Sequence, residues 1–233
     1  MKNTFATSML ALALLAAGCN KDPFTGHDSG TFTDSRDNQE YGWVRLGDQI
    51  WMSENLGYLP GVTPATTLSA TVAYNYVYGY TGSSVTEAKT QDAFKTYGVL
   101  YNFEAAQAVC PTGWHCPTDA EWKTLEKGLG MSQEDLVKTG PRTSGFVGDQ
   151  LKSATGWEGS ATGTNTSGFA ALPAGFIWLT GISAGLVVSA CFWTKTADDA
   201  NNAWDRFFDG NGRGVDRNPY PKEDAYSVRC VKD

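Results

Sequence analysis

The sequence has only two histidines, and its cysteines do not follow the close paired spacing of zinc-binding motifs. Basic residues are also few: 18 lysines and arginines stand against 25 aspartates and glutamates, which gives a net charge of −7. No basic patch is visible, so a nucleic-acid partner is not expected. The apolar run at the N-terminus, residues 9–17, is too short to span a bilayer core of about 30 Å.

The N-terminal segment has the pattern of a secretory signal. Lys2 precedes the apolar run, and Leu15-Ala-Ala-Gly-Cys19 resembles the bacterial lipobox, in which the cysteine receives a lipid and becomes the new N-terminus. An ordinary signal followed by an incidental cysteine is the alternative. We predict a signal peptide over residues 1–18, lipidation at Cys19 and a flexible polar tether over residues 19–30. We therefore expect a lipid-anchored protein of the bacterial envelope. The Lys-Asp pair at 21–22 favours the outer membrane or the cell surface as its location.

Residues 110–122 form a corner between two predicted helices. Thr118-Asp-Ala-Glu121 has the pattern of a capping box, which predicts that a helix begins there. Residues 102–109 are rich in alanine and begin with Asn102, a suitable N-cap. The corner therefore joins two short helices.

Short segments rich in aromatic and β-branched residues, separated by Gly/Pro turns, predict antiparallel strands. These strands cover residues 30–34, 41–46, 49–52, 74–80, 168–172, 175–179, 186–194, 203–209, 212–217 and 226–231. The alternating tyrosines of residues 74–80 favour half-buried sheet packing; the alternative is an exposed aromatic platform. Ser132 is expected to cap a further short helix, and residues 139–168 to form a long loop. We expect one α+β domain over residues 31–233.

Several motifs occur in a fixed order along this domain. They are Asp34…Tyr41, Ile50-Trp-Met-Ser-Glu-Asn-Leu56, Tyr97-Gly-Val-Leu-Tyr-Asn102, Cys110-Pro-Thr-Gly-Trp-His115, Pro117-Thr-Asp-Ala-Glu-Trp122, Gly168-Phe-Ala-Ala-Leu-Pro173, Phe192-Trp-Thr-Lys-Thr196 and Tyr226-Ser-Val-Arg-Cys-Val-Lys-Asp233. Together they resemble the Fibrobacter succinogenes major paralogous domain. More distantly, the chain is similar to C-type-lectin-like folds, which include the formylglycine-generating enzymes. The resemblance implies a C-type-lectin-like α+β domain with small antiparallel sheets, two main helices and long irregular loops.

Four cysteines remain beyond Cys19: Cys110, Cys116, Cys191 and Cys230. An even number in an exported chain favours disulfides, and the residues alone leave three pairings open. The family resemblance implies a Cys110–Cys230 bond. Cys116 departs from the family pattern, and Cys191 is then its expected partner.

Residues 197–224 combine carboxylates, amides, arginines and aromatic rings. Such groups match sugar hydroxyls and sugar faces, and in C-type-lectin-like folds the late loops often form the binding face. The candidate ligand-binding residues are Trp204, Asp205, Arg206, Asp209, Asn211, Arg213, Asp216, Arg217, Asn218 and Tyr220. The alternative is a solvated hairpin without a ligand. Asp198, Asp199, Asn201 and Asn202 offer oxygens to calcium, but no ligand loop of defined spacing is present, so no metal or other cofactor is predicted.

The sequence predicts no catalytic residue. His115 is expected to be a packed, hydrogen-bonded side chain, and the close cysteine pair that formylglycine generation requires near the C-terminus is missing. We therefore expect a lipid-anchored envelope or surface protein whose domain recognises a glycan or a surface protein without catalysis. The alternatives are a structural or assembly component of an envelope complex and, more distantly, an enzyme of the formylglycine-generating type.

Overall fold

The computed structural model describes residues 28–233. The predicted signal peptide, Cys19 and nearly all of the tether lie outside the described residues, so these expectations stay predictions. Within residues 28–233, none of the helices has the length and apolar character needed to cross a membrane.

The described residues form many short elements. The strands are β1 (Ser29–Thr33), β2 (Glu40–Leu46), β3 (Gln49–Met52), β4 (Asn75–Tyr76), β5 (Leu100–Asn102), β6 (Trp114–His115), β7 (Ala174–Ile177), β8 (Ser183–Leu186), β9 (Ser189–Ala197), β10 (Asn202–Asp209), β11 (Pro219–Pro221), β12 (Ala225–Tyr226) and β13 (Val231–Lys232). The helices are α1 (Val85–Ala88), α2 (Asp92–Tyr97), α3 (Phe103–Ala106), α4 (Asp119–Gly128), α5 (Gln133–Val137) and α6 (Val147–Leu151), and a 3-10 turn covers Ser144–Phe146.

The strands form two sheets. The smaller sheet has the order β1-β2-β3-β13-β6 and is antiparallel throughout. The larger has the order β11-β10-β9-β7-β12-β5-β4, with β8 beside β7, and β7 and β9 run parallel. The predicted α+β class with small antiparallel sheets is confirmed, while the C-type-lectin-like topology stays a prediction.

The β2–β3 hairpin and the corner are confirmed. Gly47 has a φ of 61° in the two-residue turn, a conformation that glycine adopts without strain. Thr118 accepts a hydrogen bond from the Glu121 amide, and Glu121 accepts one from the Thr118 amide at 2.7 Å, which completes the capping box of α4. Asn102 caps α3, but α3 has only four residues, so α4 is the longer of the two expected helices.

The tyrosine strand is much shorter than predicted. Only Asn75 and Tyr76 pair with β5, because the chain turns away through Gly79, which has a φ of 71°. Tyr76 is fully buried and donates its hydroxyl to the Thr67 carbonyl, whereas Tyr80 donates to Ser84. An exposed platform of four aligned rings is therefore not formed.

Other predicted strands are divided or lost. The predicted final strand, residues 226–231, is divided between the two sheets, because β12 lies in the larger sheet and β13 in the smaller. Residues 168–172 are loop, and residues 212–217 contribute a bridge pair between Asp216 and Phe207 instead of a strand. Sequence alternation shows which residues favour extended backbone but does not identify their pairing partner, so these assignments failed.

The four cysteines of residues 28–233 form one disulfide. Cys110 and Cys230 form a disulfide across a sequence separation of 120 residues, as the family resemblance implied. The predicted Cys116–Cys191 bond is not formed, since both residues are buried free thiols. Both lie in one apolar core, where a cysteine serves as a small hydrophobic residue, so an even cysteine count did not guarantee a second bond.

Candidate functional site

Two of the predicted ligand-binding residues, Arg206 and Arg217, are buried against α4. Arg206 donates from Nε to Glu126 Oε1 at 2.5 Å, and Arg142 donates from Nη2 to the same oxygen at 2.6 Å. Arg217 donates from Nε to Asp119 Oδ1 at 2.7 Å. Burial raises the pKa of Asp119, but the Arg217 hydrogen bond and the Arg206 charge outweigh burial and hold that pKa well below its usual value. Arg206 and Arg217 therefore bind β10 and the segment before β11 to α4. Their assignment to a ligand site stays a prediction, and their donors already have partners within the domain.

Asp205 and Trp204 also face internal partners. Asp205 is fully buried and accepts a hydrogen bond from the Asn218 amide at 3.2 Å. Burial raises the pKa of Asp205 well above its usual value, and the hydrogen bond from the Asn218 amide acts in the opposite direction. The Arg217 guanidinium covers one face of Trp204, 3.4 Å from the ring centroid. Asp205 offers no exposed surface to a ligand, and Trp204 keeps at most one face for a ligand. Their assignment to a ligand site stays a prediction.

The remaining residues of the predicted site are spread out. Asp209 accepts from the Asn211 amide at 2.6 Å and thereby closes the turn after β10. Asn211 Oδ1 accepts from the Ser160 amide at 3.1 Å, and Arg213 pairs with Asp149 at 2.6 Å. These contacts hold residues 149–160 against the turn after β10. The predicted loop of residues 139–168 is not a loop throughout, since it contains α6 and the 3-10 turn. Asp216, Asn218 and Tyr220 are half-buried. The structure therefore does not bring the ten residues together on one exposed face.

The oxygens of Asp199, which were considered for calcium, accept hydrogen bonds from residues of the same turn. Asp199 Oδ1 accepts hydrogen bonds from the amides of Asn201 and Asn202, both at 2.7 Å, and its Oδ2 accepts from the Asn202 side chain at 3.0 Å. In the part of the chain that the structure describes, no group of three or more His, Cys, Asp or Glu side chains is placed to hold a metal ion.

His115 links the last strand to the corner. Its Nε2 lies 2.7 Å from Glu121 Oε1 and its Nδ1 lies 2.7 Å from Asp233 Oδ1. Burial lowers the pKa of His115, but the hydrogen bonds to Asp233 and Glu121 outweigh burial, so the net pKa is raised. This contact network is the hydrogen-bonded structural role that the sequence predicted.

Two adjacent cavities along β2 form a site that the sequence did not predict. Each has a volume of about 320 Å³. The first is lined by Gln39, Tyr41, Glu54, Asn55, Gly57, Phe94, Lys95, Thr96, Tyr97, Gly98 and Leu172. The second is lined by Ser29, Trp43, Val44, Ser53, Asn165, Thr166 and Gly168. The cavities share no lining residue. They are neighbours, because the Glu54 side chain of the first and the Ser53 side chain of the second both lie beside Gly42 of β2. We call them together the β2 groove.

Arg229 links two loops that each contribute residues to the lining of the β2 groove. It is fully buried and donates from Nε to Asn55 Oδ1 at 2.8 Å and from Nη2 to the Ala170 carbonyl at 2.7 Å. A further hydrogen bond reaches the Phe169 carbonyl. Burial lowers the pKa of Arg229, while the negative charge of Glu54 raises it, and the resulting pKa is about 9. The guanidinium group therefore remains charged at neutral pH. One side chain therefore fixes the loop after β3 and the loop before β7 relative to each other.

The β2 groove presents aromatic rings beside polar groups. The Trp43 indole is half-buried and rests against Gly30 of β1, where a Cβ would lie 2.8 Å from the ring. The Tyr97 ring is half-buried, and burial raises the pKa of its hydroxyl. Glu54 is exposed, and its Oε1 accepts from the Gly42 amide at 3.2 Å, which orients the carboxylate. Lys95 adds an exposed ammonium group. Such a set can stack on a ring and hydrogen-bond to several hydroxyl groups at once.

Three signals in the sequence converge on this groove. Ser53, Glu54 and Asn55 belong to the motif of residues 50–56. In the sequence this motif supports the family resemblance, and no binding site is predicted there. The motifs at residues 97–102 and 168–173 supply the opposite wall and part of the rim. Their joint presence around a cavity was not predictable from spacing, because the three motifs are separated by long stretches of chain.

Comparison with known proteins supports the family that the sequence motifs resemble. The profile of the Fibrobacter succinogenes major domain matches residues 44–232. No curated protein and no solved structure matches the chain. The match covers most of the sequence and includes all three motifs around the β2 groove. The chain belongs to the Fibrobacter succinogenes major domain family.

Proposed function

We propose that this protein is a lipid-anchored envelope protein whose domain binds a glycan in the β2 groove without catalysing a reaction. The observation that supports this most is the convergence of three family motifs on two adjacent cavities. Each cavity lies at the lower end of the size range of small-molecule sites. Two neighbouring cavities of similar volume suit a ligand made of linked units, such as two joined sugars with one in each cavity.

The chemistry of the lining supports a sugar ligand. Trp43 and Tyr97 offer aromatic surfaces for the apolar face of a sugar ring, while Glu54, Ser53 and Lys95 offer acceptors and donors for hydroxyl groups. Arg229 links Asn55, which lines the first cavity, to the loop of residues 169–170 without any ligand present. A preformed site loses little conformational entropy on binding, which favours affinity for a flexible polymer.

The anchor and location rest on the N-terminal sequence. The lipobox-like segment ending in Cys19 supports lipidation, and the Lys-Asp pair that follows supports the outer membrane or cell surface as the location. Replacing Cys19 by serine is expected to release the protein from the membrane fraction. Unchanged retention of the Cys19→Ser variant would contradict the lipid anchor.

The two free thiols give no support to cysteine-based catalysis. Burial raises the pKa of Cys116 to about 12 and that of Cys191 well above its usual value. Both thiols are held in the protonated form, which is neither a nucleophile nor a metal ligand. Chemistry of the formylglycine-generating type needs reactive cysteines and gains no support from these two.

The test is a glycan array probed with the oxidised, mature protein, in calcium and again in EDTA. We expect specific binding that Trp43→Ala and Tyr97→Ala each reduce at least tenfold. Trp204→Ala is the matched control, because Trp204 is a half-buried aromatic residue outside the groove.

Two results would contradict the proposal. Loss of binding in Trp204→Ala, with binding kept in Trp43→Ala, would move the site to the late hairpin. Absence of any hit from folded, disulfide-bonded protein would reject the glycan ligand and favour a surface protein as the partner.

A further inference from the structure

The loop between β7 and β8 exposes three large apolar side chains within five positions. Trp178 is 36% exposed, Leu179 52% and Ile182 60%. These are half of the exposed large hydrophobic residues in the part of the chain that the structure describes. Apolar side chains clustered on a surface in this way mark a site of interaction.

The loop is held firmly in this exposed position. The Trp178 amide donates to the Ile182 carbonyl at 3.0 Å, and the Gly181 amide donates to the Trp178 carbonyl at 2.7 Å. The Trp178 ring packs edge-on against Phe176, with centroids 4.6 Å apart. Gly181 lies so close to the Ala65 carbonyl that a Cβ would come within 2.6 Å of its oxygen. The loop, residues 178–182, is therefore braced against the domain and presents its apolar side chains outward.

The surrounding sequence is free of charge. No Asp, Glu, Lys or Arg occurs between Glu158 and Lys195, although the whole chain carries a net charge of −7. A loop that combines tryptophan with leucine and isoleucine, and that lacks charge, suits the interfacial region of a lipid bilayer, where indole rings accumulate.

We propose that residues 178–182 contact the bilayer to which the chain is anchored. The inference rests on the proposed lipid at Cys19. The ten residue steps from Cys19 to Ser29, the first residue of β1, span at most about 35 Å. The domain therefore stays close to the bilayer surface, and a weak apolar contact is favoured by the high local concentration of lipid. Because the chain is acidic, the contact depends on apolar burial and gains nothing from anionic lipid headgroups.

The test is quenching of tryptophan fluorescence by brominated lipids in vesicles that carry the full mature protein. Bromine on the acyl chains quenches only those indoles that reach the bilayer. We expect quenching in the wild type and loss of most of it in Trp178→Phe. Trp43→Phe is the control, since Trp43 lies in the β2 groove, and it should leave the quenching unchanged.

A second pair of variants keeps the outcome clear if Trp178→Phe disturbs the loop. The Leu179→Ser/Ile182→Ser double variant should reduce quenching at least threefold. Val137→Ser, which changes a side chain 65% exposed elsewhere, should not. Equal quenching in all variants, or none in the wild type, would overturn the proposal. A self-association that the double variant abolishes would assign the loop to a second copy of the chain instead.

The vesicle assay separates this inference from the anchor. If the protein fails to float with vesicles, the lipid anchor is wrong. The mature protein is then mixed with brominated vesicles at high lipid concentration, and quenching that depends on Trp178 still decides whether the loop contacts lipid.

Discussion

Replacing Glu126 by glutamine should destabilise the protein more than any other single conservative change of a carboxylate. Glu126 is fully buried and accepts hydrogen bonds from Arg142 at 2.8 and 2.6 Å and from Arg206 at 2.5 Å. Glutamine keeps the size of the side chain but removes the negative charge. Two fully buried guanidinium groups then lose the carboxylate that they share.

The expected loss of unfolding free energy is about 3–5 kcal/mol, which is the cost of breaking a buried ion pair by removing one partner. A domain of this kind is stable by only about 5–15 kcal/mol, so the loss is a large part of the total. Replacing all three residues by apolar ones, in Glu126→Leu/Arg142→Met/Arg206→Met, leaves no unpaired charge. We therefore expect the triple variant to lose less stability than Glu126→Gln alone.

Urea unfolding of the oxidised protein, followed by far-UV circular dichroism, gives both values. Glu134→Gln is the matched control, because Glu134 pairs with Lys138 on an exposed helix surface and its loss should cost less than about 0.5 kcal/mol. A loss below about 1 kcal/mol in Glu126→Gln would refute the stabilising role assigned to the ion pairs of Arg142 and Arg206 with Glu126.

Three further predictions concern titration and covalent chemistry. The pKa of His115 is raised, so its ion pairs stabilise the fold most below about pH 6 and lose effect as pH rises through that pKa. The stability difference between the wild type and His115→Phe should shrink accordingly between pH 5.5 and 8. Burial raises the pKa of Asp224 to about 6, so stability is lost as pH rises through 6, and Asp224→Asn should gain on the order of 1–3 kcal/mol at pH 7.5 in urea unfolding. Removing the disulfide in Cys110→Ser/Cys230→Ala should cost roughly 4–5 kcal/mol on the loop-entropy model, measured in the same way.

The sequence predicted those features that depend on neighbouring residues. The capping box at Thr118, the two-residue turn at Gly47 and the cap at Asn102 each require only residues a few positions apart, and all three are present. The family resemblance supplied the Cys110–Cys230 bond, which local pattern left open among three pairings.

Features that depend on distant partners were not predictable. Arg206 and Arg217 have the composition of a sugar-binding face, but their function in the fold is decided by Asp119 and Glu126 on α4, which are about 80–100 residues away in sequence. An arginine on a half-buried strand satisfies its donors with whichever carboxylate the fold brings near. Composition alone therefore does not distinguish a ligand site from an internal ion pair.

Arg229 links the motif of residues 50–56 to the motif of residues 168–173, which lie far apart in the sequence. A fully buried guanidinium needs acceptors for its donors, and here they come from Asn55, the Met52 carbonyl and the carbonyls of residues 169–170. None of these acceptors carries a negative charge, so the stabilisation of Arg229 depends on the geometry of its hydrogen bonds. A small displacement of either loop would leave a buried donor without an acceptor. The two loops therefore hold one fixed separation. Under the proposed function, such a fixed separation would place Asn55 and its neighbours in the β2 groove before a ligand binds.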